Sequence, residues 1–232
     1  MLSDLSERIV SEMNTETVFT IPVFGGIDVD EGTVVTWIIM AVMILASILL
    51  TRKLRVDHIS RRQAAVEVFV TKLEDVVVGV IGPEGRQYAP YLVTVLVYIG
   101  FANIMGVFGF KPPTKDLNVT LALAVMSIVL VQAASIRKRR VGGWLKSFAK
   151  PLAIVTPFNI LDLFTRPLSL CMRLFGNVLG AFVVMILLES FVPVVIPAVF
   201  SLYFDFFDGF LQAYVFVFLT SVYIKEAIEL SE

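Results

Sequence analysis

Long uncharged apolar runs are the feature of this sequence that most restricts its fold. Such runs extend over Thr33 to Leu50, Tyr88 to Phe110 and Leu117 to Ile136. The hydrocarbon core of a bilayer is crossed by about 20 apolar residues in a helix, so each run is about long enough to span it. Composition agrees, because 57% of the 232 residues are hydrophobic and only 17% are charged, which is too apolar for a water-soluble domain. The sequence predicts an integral membrane protein of the all-α class.

The last third of the chain predicts two further spans. From Leu168 to Ile224 the sequence is again almost wholly apolar, and Pro193 and Pro197 indicate a turn near its centre. We therefore expect a long helical hairpin, and its arms exceed what an upright span requires, which favours strong tilt. The predicted spans are about 33–51, 88–110, 117–136, 158–191 and 198–229.

The positions of the basic residues predict the orientation in the membrane. The segment "RKLR" follows the first span and "RKRR" follows the third, whereas "KPPTKD", between the second and third, carries only two lysines. Because cytoplasmic loops are enriched in Lys and Arg, we expect the N-terminus outside and the C-terminus in the cytoplasm. Residues 1–32 would then form an extracytoplasmic tail, and 33–232 a single transmembrane domain.

The connection between the first two spans has a helical pattern of its own. Residues 62–81 place most of their apolar side chains near one helical face and charged ones elsewhere. This pattern favours an amphipathic helix that is interfacial or re-entrant on the inner side of the membrane. A solvated connecting helix is the alternative.

Residue usage excludes several classes of function. The single Cys171 excludes an internal disulfide, and the single His58 has no Cys or His neighbours with which to hold a metal. A formal net charge of -1 provides no basic surface for nucleic acid. The sequence contains no "GxxxxGK[ST]" phosphate-binding loop. We therefore expect no metal, no cofactor and no catalytic residue.

Arg173 is a permanent charge in the middle of an otherwise apolar run. At the centre of a span an arginine costs at least about 2.5 to 3.5 kcal/mol, so it should face other protein or water. Ser169, Gly176, Asn177 and Gly180 share its face of a helix. A GxxxG pair by itself usually indicates only a packing face. With Arg173 and Asn177 on the same stripe, we interpret it as a surface along which a charged partner passes.

The second arm carries a similar polar stripe. Asp205, Asp208 and Gln212 fall on one face of a helix, and Gln212 lies about as far from the turn as Arg173 does, so the two could face each other. Glu189, Asp205 and Asp208 lie nearer the turn, where carboxylates are expected to line a water-filled entry path for a cation. The alternative is that the two aspartates cap a helix start near the interface.

Three segments resemble the signature segments of subunit a of the F-type ATP synthases. They occur in the order and spacing of that family: "PTKDLNVTLALAV" (113–125), "RPLSLCMRLFGNVLGAF" (166–182) and "LQAYVFVFLTSVYIKEAIE" (211–229). By this resemblance Arg173 matches the family's essential arginine, Asn177 the asparagine four residues on, and Gln212 the glutamine of the last helix. Phe182 stands where many members have a carboxylate, and Asp205 where some have a histidine.

The resemblance implies an ion-conducting stator that makes no ATP itself. Its partners would be a rotating ring of c subunits, the peripheral-stalk b subunits, the remaining ATP synthase subunits and membrane lipid. Two offset half-channels would carry protons, or sodium ions, to and from the ring, with Arg173 between them. A bacterial plasma membrane is favoured because no transit peptide is visible. The residues alone leave two alternatives open: a stand-alone secondary transporter or channel, and a membrane scaffold whose polar stripes hold helices together.

Overall fold

The computed structural model is a helical bundle in which five helices are long and apolar enough to cross a membrane, within the part of the chain that it describes. That part comprises residues 17–22, 27–52, 54–55, 59–108, 111–147, 156–191 and 199–229. The predicted all-α membrane fold is confirmed. His58 and the predicted turn residues Pro193 and Pro197 lie outside the described residues.

Two short strands precede the first span. Strand β1 (Thr17–Ile21) pairs antiparallel with β2 (Ile27–Asp30), and Phe19 lies opposite Val29. The β-branched and aromatic residues of β1 favour this conformation, which the description of residues 1–32 as a tail did not anticipate. We call the end of the molecule that carries these strands and residues 111–116 the sheet end.

The helices follow one another with short connections. Ser60 caps the second helix, because its Oγ accepts the backbone N–H of Gln63 at 3.3 Å, and Pro90 occupies the first turn of the third. Within the described ranges the helices are α1 (Glu31–Thr51), α2 (Arg61–Ile81), α3 (Ala89–Ile104), α4 (Leu117–Ser147), α5 (Thr156–Phe191) and α6 (Val199–Glu229). Short 3₁₀ turns cover Pro83–Tyr88, Met105–Phe108 and Pro113–Lys115.

Two helix ends differ from the predicted ones. The α-helix α3 ends at Ile104 and gives way to a 3₁₀ turn, although the apolar run predicts helix to residue 110; Gly106 and Gly109 weaken the helix here. Helix α4 continues to Ser147 instead of ending near 136, because basic residues are good helix formers and apolarity marks only the span. It is interrupted at Arg140, whose φ of 58° and ψ of 165° are not helical.

The start of α6 departs from α-helical geometry. Leu202–Asp208 is π-helical, and the regular α-helix runs over Gly209–Glu229. The predicted stripe assumed α-helical spacing throughout. Because a π-helix bonds i to i+5, its wider turn shifts Asp205 around the axis relative to Gln212. The α-helical spacing therefore holds only from Gly209 onward.

The core lies where α3, α4 and α6 meet. Helix α6 packs mainly on α3 and α4, and α5 packs mainly on α4, so the two arms of the hairpin meet each other over only a short stretch. Direct contact between the arms includes a bidentate ion pair in which Arg166 Nη1 and Nη2 lie 3.0 and 3.1 Å from the Glu226 carboxylate oxygens. Fully buried side chains of this core include Ile99, Ala124, Leu174, Ala213 and Ile224.

The outward faces of the bundle are apolar. Helix α1 exposes Trp37, Ile38 and many aliphatic side chains and buries only a few residues. Helix α2 buries Val77 and Ile81 and exposes Val68 and Phe69, as an amphipathic helix held against the bundle does. Such surfaces suit lipid or further protein rather than water.

Candidate functional site

One face of α5 carries the polar and small residues that the sequence singled out. The residues of this face, which we call the arginine face, are all exposed: Ser169, Arg173, Gly176, Asn177 and Gly180. The opposite side of the same turns is buried, with Leu170 and Leu174 only 3% and 1% exposed. The core-facing leucines therefore fix the rotation of α5 that turns Arg173 outward.

The arginine face has no occupant from the part of the chain that the structure describes. Within the described residues Arg173 has no hydrogen-bond or ion-pair partner, and a Cβ added at Gly176 or Gly180 would meet nothing within 4 Å. The GxxxG pair thus does not serve close packing between helices of the described part of the chain. A guanidinium at mid-span is costly unless other protein or water covers it, and none of the described residues provides that cover.

A cavity of about 420 Å³ with several charged and polar side chains in a partly apolar lining lies at the sheet end, between α3, α5, α6 and the connection that precedes α4. We call it the sheet-end cavity. Its lining includes Asn103, Lys111, Phe182, Glu189, Asp208 and Gln212. Asp208 and Gln212 are half-buried, whereas Glu189 is exposed at the rim.

The structure thus divides the predicted site residues into two groups. Glu189, Asp208 and Gln212 are brought together around the sheet-end cavity, and the residues of the arginine face lie on the surface. Arg173 is not among the residues that line the cavity, so Gln212 and Arg173 do not meet there, because α4 rather than α6 supports most of α5. The side chain of Asp205 is outside the described part of the chain.

Asn103 joins α3 to α6 beside this cavity and was missed by the sequence analysis. Its Nδ2 donates to the Gly209 carbonyl at 2.9 Å, and its Oδ1 accepts from the Thr114 hydroxyl at 2.7 Å. Asn103 is only 4% exposed, so both bonds are made in the interior. An amide inside the apolar run 88–110 is the signal that could have identified it.

Gly209 is the glycine that this contact requires, and its replacement is a test of the packing. A Cβ at position 209 would lie 2.7 Å from the Asn103 Cβ. We expect the overpacking in Gly209→Ala to cost about 1 to 3 kcal/mol. Ala gains roughly 1 kcal/mol over Gly within a helix, so the net effect should be a loss of stability. The measurement is the temperature at which the purified complex loses this subunit.

Gly79→Ala, on the exposed side of α2 and away from the arginine face, is the matched control for this prediction, because its added Cβ meets nothing within 4 Å. It should leave that temperature unchanged or raise it slightly. Equal losses in the two variants would contradict the close approach of α3 and α6 at Gly209.

Asp116 is a second buried polar residue that was not singled out. Its side chain is 5% exposed, its Oδ1 accepts the backbone N–H of Asn118 at 2.8 Å, and its Oδ2 has no hydrogen-bond partner within the described residues. Gly32 at the start of α1 leaves room for this carboxyl, since a Cβ there would lie 3.3 Å from Oδ2. Burial raises the pKa of Asp116, the Asn118 N–H opposes this rise, and the Asp30 carboxylate adds to it.

Phe182 is covered by a cation. The Lys115 Nζ lies 3.3 Å from the centroid of the Phe182 ring, a distance at which the ring quadrupole attracts an ammonium. The 3₁₀ turn Pro113–Lys115, which follows Pro112 and begins with a proline itself, presents this lysine to α5. The position where the resemblance leads one to expect a carboxylate is therefore an aromatic ring in contact with a lysine.

The fold and these features define a polytopic helical membrane protein with a charged surface at mid-span and, at one end, a cavity with charged and polar side chains in its lining. The chain matches the family model described as ATP synthase A chain over residues 33–225. It is 37% identical over 202 residues to ATP synthase subunit a of Moorella thermoacetica, which covers 86% of this chain and 91% of that protein.

Other curated relatives agree. Identity is 34% over 206 residues with ATP synthase subunit a of Nitrosospira multiformis, covering 88% of this chain and 82% of the relative. It is 35% over 207 residues with ATP synthase subunit a 1 of Chlorobaculum parvum, covering 88% and 90%. The chain belongs to the ATP synthase A chain family, so the family membership expected from the resemblance is confirmed. It is a non-catalytic subunit of the membrane sector of an ATP synthase, whose other subunits are its partners.

Proposed function

We propose that this chain is the ion-conducting stator of a rotary ATP synthase and that Arg173 is the residue that couples ion flow to rotation. The observation that supports this proposal most directly is the arginine face. There a guanidinium without a partner among the described residues lies at mid-span beside two glycines with open space in front of them. A passing ring of c subunits, each bringing one carboxylate, is the partner that such a face fits. The peripheral-stalk b subunits hold the stator against this ring.

Electrostatics explains why a carboxylate gives up its ion at Arg173. At an effective dielectric near 20, two unit charges about 4 Å apart attract by about 4 kcal/mol, which corresponds to roughly three pKa units on the carboxyl group. A loaded carboxyl that reaches the arginine is therefore driven to release its proton or sodium ion. The deprotonated carboxylate then passes Arg173 as its counter-ion.

The sheet-end cavity is the entry path in this proposal. Glu189, Asp208 and Gln212 line it, and Asp205 belongs to the same π-helical segment as Asp208. With the N-terminus outside and the C-terminus in the cytoplasm, this cavity opens to the outside of a bacterial plasma membrane. The second half-channel opens to the cytoplasm, and Asn177 and Ser169 extend the arginine face on either side of Arg173.

The membrane potential drives the cycle. Each charge that crosses contributes about 2.3 kcal/mol per 100 mV. Arginine has a pKa above about 12 and so stays charged when it is desolvated, which prevents an ion from passing directly between the half-channels. Ion flow is then possible only with rotation of the ring.

Reconstitution in lipid vesicles tests this role. The purified chain alone should carry no ion current under an imposed potential, because the ring carboxylates that carry the ion are missing. The complex of this chain with the ring should conduct, and the two should co-purify. Ion transport by the chain alone at the rate of the complex would identify a stand-alone transporter or channel instead.

A further inference from the structure

The contact between Lys115 and Phe182 places a positive charge beside the sheet-end cavity. Phe182 lines this cavity, and the Lys115 Nζ is 3.3 Å from its ring centroid. The lysine is half-buried and comes from the turn before α4, whereas the ring comes from α5. The ammonium is thus held by a ring that belongs to the lining.

The effect of Lys115 depends on the other charges near the cavity. The carboxylates of Glu189 and Asp208 line the cavity, Asp205 lies in the same π-helical segment, and Asp116 follows Lys115 in the chain. Lys111, a cation of the lining itself, is 3.3 Å from the Glu31 carboxylate. Lys115 therefore adds positive charge to a compartment whose lining carboxylates would otherwise attract a cation strongly.

We propose that Lys115, held on the Phe182 ring, sets the cation affinity of the sheet-end cavity by repelling the entering ion, so that the ion passes on instead of remaining bound. This inference rests on the proposed function of the cavity as an entry path. Carboxylates draw a proton or sodium ion in, and a path that binds too tightly does not release the ion. At an effective dielectric near 20, a fixed ammonium about 12 Å from the ion weakens the binding of either cation by about tenfold.

The test varies the external proton concentration, and separately the external NaCl concentration, during ATP synthesis by the whole complex in vesicles. We expect Lys115→Met to lower the half-saturating concentration of the driving cation by about tenfold and to lower the maximal rate. Lys115→Arg keeps the charge and should resemble the wild type. Phe182→Leu removes the ring that holds the lysine and should shift the half-saturating concentration in the same direction as Lys115→Met, by less.

Lys138→Met is the matched control, because Lys138 is an exposed lysine of α4 paired with Glu84 at 2.7 Å, away from the cavity lining. It should leave the external concentration dependence unchanged. An unchanged half-saturating concentration in both Lys115→Met and Phe182→Leu overturns the proposal, as does an equal shift in Lys115→Arg.

If the Lys115→Met variant does not assemble, as judged by co-purification with the ring, the half-saturating concentration measured for Phe182→Leu alone tests the proposal. Failure of the stator role is detected separately, as ion transport by the chain without the ring.

Discussion

Replacing Arg173 with alanine is expected to abolish coupled ATP synthesis while the complex still assembles. Without the guanidinium, an arriving carboxyl loses about three pKa units of driving force for ion release, so the rate should fall to about a thousandth or less. Passive ion leak should rise, because the permanent charge between the half-channels is gone. The measurements are ATP synthesis, ATP-driven pumping and leak in membranes that hold the whole complex.

Replacing Arg173 with lysine tests whether a positive charge at this position is sufficient or whether the charge must also be permanent. Arg173→Lys keeps a cation that can lose its proton when desolvated, so we expect strongly reduced synthesis together with leak. Arg62→Ala removes an exposed arginine of α2 and serves as the control that should couple normally. Normal coupled synthesis in either Arg173 variant would refute the proposed mechanism.

Neutralising the carboxylates of the sheet-end cavity is expected to slow ion entry without disturbing assembly. Asp208→Asn and Glu189→Gln each remove a negative charge from the lining, and a carboxylate about 6 to 12 Å from an ion path stabilises the cation by about ten- to a hundredfold in affinity. Asp205→Asn should act in the same sense. The readout is the dependence of ATP synthesis on the external concentration of the driving cation.

These variants should raise the half-saturating concentration, in the direction opposite to Lys115→Met. Asp75→Asn, on the exposed side of α2, is the control of equal charge change. If all three cavity variants transport like the wild type, the entry path does not run through the sheet-end cavity.

The sequence predicted the spans well because bilayer thickness fixes the length of an apolar run. Thr33 to Leu50 reappears inside α1, and the last two helices are as long as their apolar stretches indicate. The arginine face could also be predicted, since Arg173, Gly176 and Gly180 are related by helical spacing alone. Helix ends such as Ser147 could not, because the basic residues after the third span favour helix beyond the bilayer.

What escaped prediction depends on contacts between distant segments. Asn103 acquires its role only when α6 places the Gly209 carbonyl beside it, and no local pattern encodes that meeting. The π-helical segment that contains Asp205 interrupts the regular α-helical spacing on which the predicted polar stripe of the second arm was based. Lys115 and Phe182 are far apart in the chain, so their contact appears only once the turn before α4 is placed against α5.

The support of α5 by α4 has a mechanical consequence. A ring that pulls on Arg173 exerts torque on α5, and this load passes through contacts such as Leu174 and the pair Thr120 Oγ1 and Cys171 Sγ, 3.6 Å apart, into α4. The resistance of this subunit to displacement by the ring under a high proton or sodium gradient should therefore depend on the packing of α5 against α4. Helix α6 does not have to carry this load and can line the cavity.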